Sequence, residues 1–197
     1  MQHFARWRSS CSSIRWLKRL SIAAVAAIAF NTSAAEPDSF SWTTDSHQVL
    51  YADLTQDGVI DLLLQAKNAG HPHFLLAGTG RESQPFDVRQ RIELPATIQG
   101  RTWYAGETAL VAIKNQQQRG AKLLLISSKT ASAFLFETLA KAADLSKPSR
   151  QYQAKQHPWL LEADKARFYA GDFDGDGQQD LLLLHTETGA HQVLPFD

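Results

Sequence analysis

Short apolar runs recur along the chain, separated by polar turn residues. Residues 62–64, 123–126 and 181–184 are continuous Leu- and Ile-rich runs, and 49–52 and 167–170 are short aromatic-containing runs placed ahead of two of them. Runs this short, lying between Gly-, Asp- and Asn-containing stretches, suit buried strands; a helix needs ten or more residues with a 3.6-residue period. The same reading predicts strands at 74–77 after the turn Asn68-Ala69-Gly70, at 88–94 before Pro95, at 133–136 after Ser132 and at 192–194 beyond Gly189. Residues 137–145 (ETLAKAADL) have a helix-forming composition and predict one or two helical turns, ended by Lys147-Pro148-Ser149.

Three segments resemble one another. Tyr51-Ala52-Asp53 leads into LTQDGVIDLLLQA, Tyr169-Ala170-Gly171-Asp172 into FDGDGQQDLLLLH, and Tyr104-Ala105-Gly106-Glu107 into a longer stretch that reaches Leu123. The Tyr-Ala pairs lie 53 and 65 residues apart, a period typical of repeated supersecondary units. Trp42 and Trp159 precede their Tyr-Ala pairs by nine and ten residues, while Trp103 adjoins Tyr104. Positions that track a repeat in this way are expected to pack in its core.

The loops between the paired runs carry the chemistry. In Asp172-Phe173-Asp174-Gly175-Asp176-Gly177-Gln178-Gln179-Asp180, carboxylates occupy positions 1, 3, 5 and 9. Calcium takes six to eight oxygen ligands, and a tight loop turns alternate side chains inward. Asp172, Asp174, Asp176, the carbonyl of Gln178 and Asp180 therefore form a candidate calcium site, with Gly175 and Gly177 supplying positive φ. The Asp53 loop follows the same plan through Asp53, Thr55, Asp57, the carbonyl of Val59 and Asp61. A hydroxyl replaces one carboxylate there, so it ranks second. The middle unit, with Lys114, Arg119 and Lys122 in place of acids, is expected to hold no metal. An EF-hand requires a bidentate acid at position 12; that position is Leu64 in one loop and Leu183 in the other.

The segment 169–183, YAGDFDGDGQQDLLL, resembles the FG-GAP/VCBS-type repeat, the unit of integrin α-chain propellers and of many bacterial secreted proteins. The resemblance covers the two acidic loops closely and the middle unit loosely. It implies an all-β, β-propeller-like array of four-stranded blades with calcium in the loop between a blade's first strands. On this chain the ligands fall on Asp172, Asp174, Asp176, Gln178 and Asp180, and on Asp53, Thr55, Asp57, Val59 and Asp61. About three units, starting near 51, 104 and 169, make a small or incomplete array. Residues 36–50 could complete it end to start; an open array leaves room for a homo-oligomer.

Composition adds compartment and partner class. Apolar residues make up 44% of the 197, enough for a packed core. Residues 1–35 carry five basic and no acidic side chains, then an apolar run at 21–30 and small residues Ser33 and Ala35. That is the plan of a secretory signal cleaved before Glu36, and ten apolar residues are too few to span a bilayer. An uncleaved anchor is the alternative. The domain beyond, 36–197, carries 15 basic and 20 acidic residues, which gives no electrostatic footprint for nucleic acid. The only cysteine, Cys11, lies in the leader, so no disulfide braces the exported chain and a bound metal is expected to take that role. The expected protein is periplasmic or extracellular, with no membrane span after cleavage, and binds a protein or glycan.

Other side chains offer weaker chemistry. His71 and His73 around Pro72, and His185 with His191, are weak transition-metal candidates without a third ligand. Trp42, Trp103 and Trp159 suit a sugar-stacking surface only if exposed. No Gly-x-Ser-x-Gly, His-Glu-x-x-His or phosphate loop is present. The enzyme alternative, a calcium-dependent hydrolase or lyase acting on polysaccharide or another envelope polymer, would rest on lone acids such as Glu107, Glu137 or Glu162.

Overall fold

The computed structural model describes residues 40–114 and 120–196, which fall within one compact unit, Asp38–Asp197. Residues 1–35, read above as a leader, lie outside the described residues. The chain is all-β. Strands β1 (His47–Ala52), β2 (Asp61–Ala66), β3 (His73–Leu76) and β4 (Ile92–Leu94) form an antiparallel meander. A two-stranded ribbon of β5 (Thr97–Ile98) and β6 (Arg101–Thr102) follows. A second four-stranded meander comprises β7 (Thr108–Lys114), β8 (Ala121–Ser127), β9 (Ser132–Phe136) and β10 (Arg150–Gln153). The third sheet has three strands, β11 (Ala166–Gly171), β12 (Asp180–His185) and β13 (His191–Pro195).

The Leu-rich strands explain the stacking. Successive strand side chains point to opposite faces, so a run that is apolar throughout buries both faces of its sheet. Leu63 of β2 meets Leu123 and Leu125 of β8 in the first core, with Leu75, Phe134 and Phe136. Leu124 and Ile126 of β8 point the other way and meet Leu181 of β12 in the second core, with Phe168 and Leu194. Leu62 and Leu64 face away from the second sheet and are covered by Phe40, Trp42 and Phe86. Each sheet thus has a rear face, carrying the first Leu of its central run, and a forward face carrying the second. No buried cluster among the described residues joins the first sheet to the third.

Several elements differ from the sequence reading. Residues 88–94 are not one strand: the Asp87 side chain accepts from Arg89 N and starts a 3-10 turn at Val88–Gln90, so only Ile92–Leu94 is extended. The helical turn expected in 137–145 lies at its end, as a 3-10 turn at Ala142–Ser146, where Lys141 N donates to Asp144. A 3-10 segment at Pro158–Lys165 buries Leu160 and Ala163 against the second core. Residues 47–52 belong to the first sheet, and Phe40 and Trp42 pack on it; this stretch supplies no strand to the third sheet.

Of the Tyr-Ala pairs, Ala52 belongs to the first core and Ala170 packs against the second, but the tyrosines at 51 and 169 are not core, and the pairs are not equivalent. Ala52 pairs with Asp61, whereas Gly171 pairs with Asp180. Counted back from these closing acids, Tyr51 corresponds to Ala170 and Tyr169 to Leu50. The glycine inserted at 171 shifts the motif by one residue, and a one-residue shift exchanges the faces of a strand. Tyr51 and Tyr169 are accordingly exposed, at 60% and 43%. Tyr104 lies in the turn before β7, where its carbonyl accepts from Glu107 N and Thr108 N.

Candidate functional site

Both acidic loops join the first two strands of a sheet, and both are held by the acid that opens the second strand. Asp180 is 2% exposed, and its Oδ2 accepts from Phe173 N at 2.9 Å. Asp172 accepts from Gly175 N at 2.7 Å and Gly177 N at 3.0 Å, Asp174 from Asp176 N at 3.0 Å, and Asp176 from Gln178 N at 2.7 Å. These bonds fold each side chain back over its own turn, and Gly175 and Gly177 take φ of 83° and 86° to allow it. One carboxylate oxygen from each of Asp172, Asp174 and Asp176 lies within 4.8 Å of the others, and all three residues are exposed. Negative oxygens at that separation repel one another, and a divalent cation between them would relieve the repulsion.

The Asp53 loop repeats this backbone. Asp53 accepts from Asp57 N at 3.1 Å and Gly58 N at 3.0 Å, and Asp57 accepts from Val59 N at 2.8 Å. Gln56 and Gly58 take the positive φ of Gly175 and Gly177. The difference lies in the closing acid. Asp61 spends both oxygens on the backbone: Oδ2 accepts from Leu54 N and Thr55 N at 2.8 Å each, and Oδ1 accepts from Gly78 N at 3.0 Å. Burial raises its pKa against the opposing effect of those bonds. The Thr55 hydroxyl lies close enough to help hold that charge but makes no well-formed hydrogen bond. The loop is also docked on the second sheet, where Ala121 N donates to Asp53 O at 2.7 Å and Leu139 N to Leu54 O at 2.8 Å. Its geometry serves the interface between sheets first, and its donor set is the poorer one for a cation.

For a calcium ion, the fit is good at Asp172, Asp174 and Asp176. They converge, they are accessible, and Asp180 has one oxygen that accepts no hydrogen bond among the described residues. The Gln178 carbonyl belongs to the same turn. In the middle unit, residues 115–119 of the corresponding loop lie outside the described residues.

The remaining candidates have structural partners. His73 is fully buried, accepts from Ala66 N through Nδ1 at 2.9 Å and stacks on Trp103 with ring centroids 3.8 Å apart. Burial, and secondarily the neighbouring His47, lowers its pKa to about 4. His185 contacts Glu162 at 2.8 Å. Glu107 pairs with Lys129 and Glu137 with Lys122, each at 3.0 Å. Trp103 is 1% exposed and donates to Pro95 O at 2.7 Å, so it stacks on no sugar. Trp159 packs against Phe168. Trp42 reaches a surface depression of about 370 Å³ with Asp45, Asn68 and His71, at the end of the first sheet away from the Asp53 loop.

The sequence reading missed Gln65, which is fully buried and donates to Trp103 O at 2.7 Å and to Thr108 Oγ1 at 2.6 Å. A polar residue directly after an unbroken Leu run was the available signal. Among the described residues, no helix is long and apolar enough to cross a membrane. No protein-family model matches the chain, and comparison with curated proteins and with solved structures finds no match.

Proposed function

We propose that this chain is an exported calcium-binding β-repeat protein of the FG-GAP/VCBS type. Its sheets act as propeller-like blades, and it works as a binding or scaffold module for a protein or glycan. The observation that carries the reading is the convergence of Asp172, Asp174 and Asp176 on one point in an exposed turn. In support, the Asp53 loop repeats the same turn in another sheet, and both loops end in a buried aspartate. Calcium would be held by Asp172, Asp174, Asp176, the Gln178 carbonyl and Asp180, and secondarily by Asp53, Thr55, Asp57, the Val59 carbonyl and Asp61. When bound, it supplies positive charge that pins the turn; the chain's own part is to orient the acids through the backbone N–H groups described above. The depression beside Trp42, polar with one aromatic wall, is the feature that best suits a glycan.

Extracellular calcium modules bind at roughly 10⁻⁴–10⁻³ M. With about 1 mM calcium and a Kd near 0.1 mM, one site adds about 1.4 kcal/mol of stability by mass action. Chelation should therefore lower the melting temperature, and added calcium should restore it. An identical melt in chelator and in calcium removes the proposal.

A further inference from the structure

The forward face of the third sheet repeats the features by which the first sheet docks on the second, yet no described residue covers it. Counted from the closing acids, Leu182 corresponds to Leu63, and as the second Leu of its central run it corresponds also to Leu124. Both of those are fully buried in the cores between sheets. Phe173 corresponds to Leu54: each follows the first acid of its loop, and each donates its N–H to the closing aspartate. Leu54 is 0% exposed, sealed between the first two sheets, whereas Phe173 is 44% exposed. Its ring lies over Gly171, where a Cβ would come within 3.0 Å of it. Tyr169 and Val193 flank Leu182 in register on either side, 43% and 38% exposed. None of Tyr169, Leu182, Leu184 or Val193 enters a buried cluster.

We infer that this face docks a second copy of the chain, forward face to forward face, about a two-fold axis near Leu182. Two observations choose that occupant. The rear face of the first sheet, which a head-to-tail partner would need, is already covered by Phe40, Trp42 and Phe86, leaving Leu62 and Leu64 at 2% and 0% exposure. Between two copies, the forward face then finds its match in the other forward face, which gives a closed pair rather than a filament. The face is also complementary to itself in charge. Asp172, Asp174 and Asp176 stand at the loop end, while Arg167 and His191 stand exposed at the far end of β11 and β13. A two-fold axis lying in the plane between the two faces, across the strands, lays the basic end of one copy over the acidic end of the other. One bound divalent ion leaves the four-carboxylate loop net negative, so the pairing does not depend on the metal-free state.

The test uses the full chain with Cys11→Ser and a single new cysteine. In a two-fold pair a residue near the axis meets its own counterpart, so Leu182→Cys should form a covalent dimer with a short bis-maleimide. Gln48→Cys, exposed on the first sheet, should not. Sedimentation of the uncoupled protein across a concentration series should give twice the chain mass, and Val193→Glu should shift it to one. Far-ultraviolet circular dichroism and the melt of Val193→Glu serve as the folding control. If that variant misfolds, the cross-link at 182 still decides. A monomer at all concentrations overturns the inference. If the thiol of Leu182→Cys then resists maleimide, the chain's own residues 1–39 or another segment cover the face; if it reacts freely, the face is bare. A dimer that links through position 48 and not 182 also overturns it.

Discussion

His73 gives the sharpest prediction about stability. It is fully buried, stacked on Trp103, and its Nδ1 accepts from Ala66 N, so the ring is neutral with its proton on Nε2. Among the described residues that Nε2 has no hydrogen-bond partner, and both burial and the neighbouring His47 oppose an imidazolium there. The folded-state pKa is about 4, against an ordinary value of 6.5. Because the folded pKa is the depressed one, the stability held by the neutral ring is complete above pH 6.5 and is lost as pH falls towards 4, while the unfolded chain takes up the proton. Linkage puts the loss at about 2 kcal/mol by pH 5 and about 3 kcal/mol by pH 4. Urea unfolding of the wild type and of His73→Gln, whose amide oxygen can still accept from Ala66, should be compared between pH 7.5 and 4. The variant should be less stable at pH 7.5 and should lose about 2–3 kcal/mol less on acidification. Parallel pH profiles for the two proteins would refute the assignment of a neutral, unpartnered ring.

Two further outcomes concern the loops. Asp61→Ala strands three backbone N–H groups, those of Leu54, Thr55 and Gly78, and should cost roughly 3–5 kcal/mol in urea unfolding; Thr138→Ala, which loses one hydroxyl contact to Leu54 O, should stay within about 1 kcal/mol. Asp176→Ala should remove more of the calcium-induced rise in melting temperature than Asp57→Ala, because only the Asp172 loop gathers three acids; the reverse order would show that the Asp53 loop is the principal site.

The strands that were legible in the sequence are those whose signal is local. Leu-rich runs at 62–64, 123–126 and 181–184 became the central strands of three sheets; the first two are buried on both faces, whereas among the described residues the third is covered on its rear face alone. The loop plan was legible too, since Asp spacing and glycine position set the turn directly. What was hidden depends on register and partners. The glycine at 171 looks like a harmless insertion in Tyr-Ala-Gly-Asp, yet it turns Tyr169 to the face opposite that of Tyr51. Val88-Arg89-Gln90-Arg91-Ile92 alternates like a strand, but the Asp87 carboxylate captures Arg89 N and bends the first half into a 3-10 turn. The different fates of two similar loops follow from the second sheet, whose Ala121 and Leu139 bind the Asp53 loop and have no counterpart at the Asp172 loop among the described residues.

The proposed function rests on one divalent cation shared by oxygens of Asp172, Asp174 and Asp176. The most direct measurement is a calorimetric titration of calcium into chelator-stripped protein, alongside Asp174→Asn. Saturable heat in the millimolar range or tighter is expected for the wild type, with at least one site lost or strongly weakened in the variant. Heats of dilution alone, or identical isotherms for the two proteins, would contradict the shared site.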